Sequence, residues 1–302
     1  MSRPTVTWVT PPRLSSLPVE RAQLEYSSRS LAFADDGVRL LRAWGPPDHP
    51  WVVGVEPRGT RWRVEAWGAG PKEARLAVRE LFSLEHDLER FYVLVRREPV
   101  LRGTERRFRG LRLPRDASVY EALLHAIVGQ QLSVRAANTI QRRLFERVGS
   151  SLDAGGVDVP CVPTPARLGS LSVVELRAVG MSRGKAAALR SLARWATHPP
   201  FPTAAFGAMP LAEAVELLDQ LPGVGRWTAE NALLRGAGRP DVFVAGDLGI
   251  RVALEEYGVA RRSRPEEEVR AWAARHYPGW GSYATLYLWR RLTSERAEAA
   301  AG

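Results

Sequence analysis

A short turn with two glycines, Gly223 and Gly225, between two helical stretches constrains the fold of this 302-residue chain most strongly. Apolar residues recur at helical spacing over 211–220, and Pro222 ends that periodicity because proline cannot donate the next main-chain hydrogen bond. Helical character returns over 227–235. Because glycine accepts positive φ angles, the turn can be tight. The sequence therefore predicts two helices joined by a hairpin.

The start of the second helix offers an anion-binding site. The first N–H groups of a helix have no partners within it, and the helix dipole favours a negative charge there. Arg226 adds a cation beside these amides. The alternative interpretation is a plain connection between two helices that binds nothing, since glycine is common in turns.

A single acid, Asp247, follows about twenty residues after Trp227. Residues 241–245 are predicted to be extended, Gly246 gives a bend, and a new helix should then run to about Gly258. Asp247 is therefore predicted to be an N-cap, which by itself is a structural role. The same carboxylate could stabilise positive charge on a sugar while a glycosidic bond breaks, and it could orient or deprotonate the attacking water.

Several segments carry a resemblance to one family: 110–114, 126–133, 136–137, 176–182, 225–229, 241–243 and 280–289. They resemble the helix-hairpin-helix, Gly/Pro…Asp (HhH-GPD) superfamily of DNA glycosylases, and within it the AlkA-type 3-methyladenine DNA glycosylases. The resemblance covers roughly residues 75–295 and is fainter towards the N-terminus. It implies a mainly α fold, with a helical core of two subdomains and an N-terminal α+β domain that contains a small antiparallel sheet.

The periodicity along the chain fits that architecture. We expect an α+β domain over 1–98 and a helical catalytic region over 99–302. The expected elements of the first part are strands over 38–43, 51–55 and 61–67 and a helix over 73–82. In the second part Ser133 is expected to cap a helix that Gly149 closes, and 150–165 is predicted to be a long loop because it is rich in Gly, Pro and Ser.

Composition points to a polyanionic partner. The net charge is +10 and the isoelectric point about 10.5, which suits double-stranded DNA, although a basic protein can simply be more soluble. The single cysteine, Cys161, excludes a disulfide framework and a four-cysteine iron–sulfur cluster. The five histidines show no paired spacing typical of metal ligands. No apolar run of about 18 residues occurs, and 1–16 has no apolar signal core, so we expect a cytoplasmic monomer, nucleoid-associated in a bacterium, without membrane contact.

Three residues are candidates for the substrate pocket. Lyases of the superfamily carry a nucleophilic lysine at the position of Trp227, and without that amine the enzyme is expected to use water and leave the strand intact. The indole face of Trp227 would attract a cationic alkylated purine. By resemblance Trp289 is a second wall, although its spacing alone favours a core aromatic residue. Asn231 stands where the AlkA type has a tyrosine, which predicts a wider or more polar pocket.

The resemblance also assigns DNA contacts. The damaged nucleotide must leave the helix stack, and a wedge fills the gap. Gln131 matches that wedge, with Leu132 as its apolar neighbour and Gln130 in the same loop; the alternative is that the glutamines only cap helix ends. Phosphates would be bound by main-chain amides at Gly223, Gly225 and Thr228.

A monovalent cation, Na⁺ or K⁺, is the only bound ion that the resemblance implies. Its ligands would be the main-chain carbonyls of Asp219, Leu221 and Val224. Catalysis itself is expected to require no cofactor.

The sequence leaves three functions open. The first is a monofunctional glycosylase that excises 3-methyladenine and 7-methylguanine by base flipping, with the carboxylate of Asp247 assisting hydrolysis of the glycosidic bond. The second is a glycosylase for hypoxanthine, uracil or an oxidised base, but neutral lesions need more leaving-group activation and no second acid is positioned for it. The third is a non-catalytic protein that binds DNA structure through the hairpin.

Overall fold

The computed structural model describes residues 3–19, 33–197 and 203–301, and these form a mainly helical protein with a small antiparallel sheet near the N-terminus. The strands of this sheet are β1 Thr5–Val9, β2 Phe33–Asp35, β3 Leu40–Trp44, β4 Trp51–Arg58 and β5 Arg61–Trp67. Their order is β1-β5-β4-β3-β2, with every neighbouring pair antiparallel. The predicted fold class is confirmed.

Alternation along β5 explains how the sheet buries one face. Trp62, Val64 and Ala66 point to the same side and are almost fully buried, as the period of two predicts. They pack against helix α1, Pro71–Leu81, which contributes residues such as Leu81 to the same cluster. The three predicted strands and the predicted helix are all present, with bounds shifted by a few residues.

The prediction of a long loop over 150–165 was wrong. Two strands, β6 Ser150–Asp153 and β7 Asp158–Cys161, form an antiparallel hairpin there. Gly155 and Gly156 both have positive φ angles, 69° and 89°, and allow the tight turn between the strands. Val159 packs with other apolar residues against the second face of the N-terminal sheet. The content of Gly, Pro and Ser is typical of loops, but this tertiary contact stabilises two strands here.

The other elements of the described chain are helices. Its helices are α2 Leu88–Val95, α3 Thr104–Arg107, α4 Val119–Gly129, α5 Val134–Val148, α6 Pro165–Ser170, α7 Val173–Ala178, α8 Arg183–Thr197, α9 Thr203–Ala208, α10 Leu211–Asp219, α11 Arg226–Arg235, α12 Leu248–Glu256, α13 Glu266–His276 and α14 Gly281–Ala301. Ser133 caps α5 as predicted, accepting a hydrogen bond from the Ala136 amide at 3.3 Å, and Gly149 ends that helix. Among the described residues, none of the helices combines the length and the apolar composition needed to cross a membrane.

Helices α4 and α11 form an antiparallel pair at the centre of the helical core. A Cβ on Gly236, at the end of α11, would lie 2.6 Å from Cα of Val119 at the start of α4, so the two backbones nearly touch there. At the opposite end, Gln130 follows α4 and contacts Thr228 in the first turn of α11. The loop after α4 and the hairpin before α11 therefore lie side by side.

A buried ion cluster joins the sheet to α4. The guanidinium of Arg42 on β3 pairs with Glu121 and lies 3.6 Å from Asp116. His125, one helical turn after Glu121, contacts the same carboxylate at 3.4 Å. Ligand-type atoms of Asp116, Glu121 and His125 lie within 4.8 Å of one another, a grouping that the sequence analysis overlooked. Because Arg42 already supplies a cation to both carboxylates, we interpret the cluster as structural.

The predicted division of the chain at residue 98 stays a prediction. The ion pair between Arg42 and Glu121 joins the two predicted parts.

Candidate active site and nucleic-acid interface

The hairpin over 220–225 has the geometry that its glycines predict. Gly223 has φ 81°, and a Cβ there would lie 2.5 Å from Cβ of Ala188 on α8, so neither the angle nor the space admits a side chain. The Val224 amide donates to the Leu221 carbonyl at 2.9 Å and closes the turn. Gly225 is the N-cap of α11 and has no side chain that could bond the first amides of the helix, so these amides keep their capacity to bind an anion.

The cation-binding carbonyls expected from the resemblance lie on the same turn. Leu221 and Val224 belong to the hairpin, and Asp219 is the last residue of α10. Carbonyl oxygens are the donors that replace water around an alkali cation, and the Leu221 carbonyl can accept a second ligand beside the Val224 amide. The donor type therefore suits a monovalent cation, and the site itself stays a prediction.

Arg226 lies at the hairpin, but carboxylates already hold it. Its guanidinium donates to Glu230 at 3.1 Å and to Glu267 on α13 at 3.1 Å, while Arg270 binds both acids. Glu230 is 3% exposed, and this burial raises the pKa of its carboxyl against the opposing effect of Arg270 and Arg226. Sequence reasoning missed both partners of Arg226: Glu267 comes from another helix, and Glu230 lies one helical turn further along α11.

The structure gives the two adjacent glutamines different environments. Gln130 donates its side-chain amide to the Gly223 carbonyl and to the Thr228 hydroxyl, each at 2.9 Å, and so ties the loop to the hairpin. Gln131 is exposed and has φ 54°, which is uncommon for a residue with a Cβ. Leu132 is 38% exposed. Residues 129–132, here named the wedge loop, thus present Gln131 and Leu132 to solvent beside the hairpin.

Asp247 is an N-cap, as predicted, and it also collects two indole groups. Its Oδ1 accepts from the Ile250 amide at 3.0 Å and from Nε1 of Trp289 at 2.9 Å. Its Oδ2 accepts from Nε1 of Trp227 at 3.1 Å. Both candidate wall residues therefore meet the acid through their N–H groups, an arrangement that the sequence analysis did not foresee. The side chain of Arg235 lies over the Trp289 ring, 5.6 Å from its centroid.

Asn231 lies behind Trp227 on α11. Its side chain is buried, and its amide nitrogen donates to the Trp227 main-chain carbonyl at 2.9 Å. The residue supports the first turns of the helix that carries Trp227.

Within the described residues, the segment that carries Asp247 pairs with no strand. The Val242 amide donates to the Ser282 hydroxyl at 3.1 Å, and the Val244 amide donates to the Thr285 hydroxyl at 3.2 Å. Both hydroxyls belong to α14, one helical turn apart. The helix can approach because a Cβ on Gly281 would lie 2.8 Å from the Asp241 carbonyl. The signal in the sequence is the group of small and hydroxyl residues, Gly281, Ser282 and Thr285, at the start of the last helix.

A helix–hairpin–helix whose second helix lies beside a capping aspartate defines the class of this protein. Residues 124–278, just over half of the chain, match the model of the "HhH-GPD superfamily base excision DNA repair protein" family. The chain belongs to this family. The match contains the wedge loop, the hairpin and Asp247.

Two relatives and one solved structure describe the likeness further. DNA-3-methyladenine glycosylase of Bacillus subtilis (strain 168) is 28% identical over 229 residues, which are 76% of this chain and 75% of the relative. DNA-3-methyladenine glycosylase 2 of Escherichia coli (strain K12) is 36% identical over 183 residues, and the match spans 60% of each chain. The 3-methyladenine DNA glycosylase from Archaeoglobus fulgidus superposes with a TM-score of 0.82 at 23% identity, covering 95% of this chain and 98% of that one. At this identity the superposition shows a shared fold.

Proposed function

We propose that this protein is a monofunctional DNA glycosylase that excises alkylated bases of the 3-methyladenine and 7-methylguanine type from double-stranded DNA. One observation carries the proposal: the Asp247 carboxylate is fixed by three N–H donors directly beside the first turn after the hairpin. Family membership and relatives named for 3-methyladenine support it. So does the net charge of +10, because phosphate contacts dominate affinity for DNA.

Binding would begin at the backbone of the DNA. The amides of Gly223, Gly225 and Thr228 are proposed to hold a phosphate at the positive end of the α11 dipole. A cation on the carbonyls of Asp219, Leu221 and Val224 would add positive charge to this turn. Gln131, with Leu132 beside it, would then fill the place of the everted nucleotide.

The chemical step needs one anion and one water molecule. As the bond between C1′ and the base nitrogen breaks, its electron pair leaves with the base and positive charge develops on the sugar. The Asp247 carboxylate stabilises this charge, and because three donors already orient it, little reorganisation is needed during reaction. Water adds its oxygen to C1′ and gives up a proton to the Asp247 carboxylate, which releases it to solvent. An alkylated purine is already cationic, so the reaction requires no second acid.

Strand cleavage is not expected. A lyase needs an amine that can form a Schiff base with the sugar, and Trp227 stands at the lyase position. The two lysines of the sequence lie elsewhere: Lys72 is exposed on α1, and Lys185 donates to main-chain carbonyls at the end of α4.

A monomer acting on chromosomal DNA would work where that DNA lies, which in a bacterium is the cytoplasmic nucleoid.

The test is base release from methylated duplex DNA by Asp247→Asn. We expect excision to fall by about a hundredfold or more, the loss typical of removing a main electrostatic group, while affinity for undamaged duplex changes little. The matched control is Asp87→Asn, because Asp87 also caps a helix through its side chain but lies outside the site.

Four results would contradict the proposal. Excision by Asp247→Asn at the wild-type rate would show that the Asp247 carboxylate takes no part in the reaction. Release of hypoxanthine, uracil or oxidised bases in preference to methylated purines would reassign the substrate, and no release of any base would leave only DNA binding. Nicks formed without alkaline treatment would reveal a lyase.

A further inference from the structure

Lys185 makes two contacts that the catalytic proposal does not use. Its ammonium group, on α8, donates to the main-chain carbonyl of Val128 at 2.9 Å and to that of Gln130 at 2.6 Å. These carbonyls belong to the last turn of α4 and to the residue that follows it. Carbonyls at the end of a helix lack amide partners within it, and the dipole there favours a cation. Lys185 therefore fixes the point where the chain leaves α4 and enters the wedge loop.

The same face of α8 also supports the hairpin. Ala188 lies three residues after Lys185, hence on the same side of the helix. The space that a Cβ on Gly223 would need is taken by Ala188, so α8 and the hairpin are in direct contact. One rigid helix thus contacts both DNA-facing elements.

A third contact closes the arrangement. The Gln130 side chain donates to the Gly223 carbonyl and to the Thr228 hydroxyl, while the Gln130 main-chain carbonyl accepts from Lys185. Helix α8, the wedge loop and the hairpin are therefore linked pairwise. Gln131, the next residue, has φ 54°, a conformation that needs support from its surroundings.

We propose that Lys185 is a positioning residue for base eversion: its ammonium group holds the wedge loop in register with the hairpin before DNA arrives. This inference rests on the proposed function, since it assigns Lys185 a part in the eversion step of that reaction. Lys185 touches neither Asp247 nor the pocket tryptophans through any hydrogen bond of the described structure. Its effect on excision must therefore pass through the loop.

The ammonium group makes these bonds while partly buried. Burial lowers the pKa of Lys185 below its usual value, because the charged form is less well solvated. Replacing it with methionine keeps the aliphatic stem and its packing but removes charge and donors. Arginine restores both, so Lys185→Met and Lys185→Arg separate packing from hydrogen bonding. The matched control is Lys72→Met, which changes the other lysine of the sequence, on the exposed side of α1.

Three measurements test the proposal on the full chain. Single-turnover excision of 7-methylguanine should fall about tenfold or more in K185M, a factor that corresponds to about 1.4 kcal/mol, and should recover in K185R. The fluorescence of 2-aminopurine placed beside the lesion reports eversion, and it should rise more slowly in K185M by a similar factor. Hydrogen exchange of the amides over 129–132 and 223–228 should be faster in DNA-free K185M. K72M should match the wild type in all three measurements. The affinity of K185M for undamaged duplex should stay within about threefold of the wild-type affinity.

The outcomes are distinguishable. Unchanged exchange and unchanged eversion in folded K185M would overturn the proposal, and so would a loss of excision with normal eversion. If K185M does not fold, Gln130→Leu removes the link between loop and hairpin, while the Gln130 carbonyl that Lys185 binds remains. The same increases in exchange and delays in eversion are then expected, and their absence would count against the proposal. If the wild type releases no base at all, the proposed function fails, whereas the exchange comparison still judges the role of Lys185 in holding the loop.

Discussion

Replacing Trp227 or Trp289 with phenylalanine tests whether the indole N–H groups orient the Asp247 carboxylate. Phenylalanine keeps an aromatic ring but cannot donate the bonds that now reach the carboxylate at 3.1 Å and 2.9 Å. A hydrogen bond to a charged group contributes about 1.5–3 kcal/mol. Because both tryptophans are only half-buried, we take the lower end of this range.

A loss of about 1.5 kcal/mol in the transition state corresponds to roughly a tenfold slower chemical step. We therefore expect W227F and W289F each to reduce single-turnover release of 7-methylguanine by about that factor. The double variant should lose less than the product of the two, because both donors act on one carboxylate and the Ile250 amide still holds Oδ1. Trp8→Phe, in the N-terminal sheet, is the matched control.

Trp227→Ala separates orientation from stacking. Alanine removes both the N–H and the ring, so its additional loss relative to W227F should be larger for cationic 7-methylguanine than for neutral hypoxanthine. Rates of W227F and W289F within twofold of the wild type would refute the orienting role of the indoles. Equal additional losses on the two bases would refute the stacking argument.

Two further predictions concern local geometry and pH. Gly249→Ala would bring a Cβ to 3.1 Å from Oδ1 of Asp247 and 3.7 Å from Trp289, so we expect excision to fall several-fold. Thermal unfolding should show equal or higher stability, because alanine favours a helix by up to about 1 kcal/mol. An unchanged rate of excision would contradict this prediction. Burial lowers the pKa of His86, which contacts the Tyr283 hydroxyl at 2.9 Å, from 6.5 to about 4. Below pH 6.5 the unfolded chain binds a proton at His86 that the folded chain does not bind. The free energy of unfolding is therefore highest above pH 6.5 and declines by up to about 3 kcal/mol as the pH falls towards 4. Urea unfolding of wild type and His86→Gln at pH 7 and 4.5 measures this, and parallel losses in both would exclude His86 as the cause.

Local signals in the sequence predicted local structure well. Ser133 and Asp247 cap helices because a cap depends on a side chain and an amide three residues away. The alternating strand β5 and the hairpin glycines are equally local, since a period of two and a positive φ are properties of a few consecutive residues. Such features do not require knowledge of the rest of the fold.

Features that depend on distant residues were missed. Glu267, the partner of Arg226 on α13, follows it by about forty residues, and the hydroxyls that satisfy the Val242 and Val244 amides follow by a similar distance. The β6–β7 hairpin is stabilised against a sheet formed about a hundred residues earlier. No periodicity encodes these contacts, because each depends on how complete helices and sheets are packed.

The two hydroxyls on α14 have a consequence for how the site tolerates change. Ser282 and Thr285 fix the backbone that leads to Asp247, and Trp289, one turn further along the same helix, binds the carboxylate itself. The separation between acid and indole is therefore set by the rise of a single helix. Insertions or deletions between α12 and α13 can alter the protein surface without shifting the two groups relative to each other.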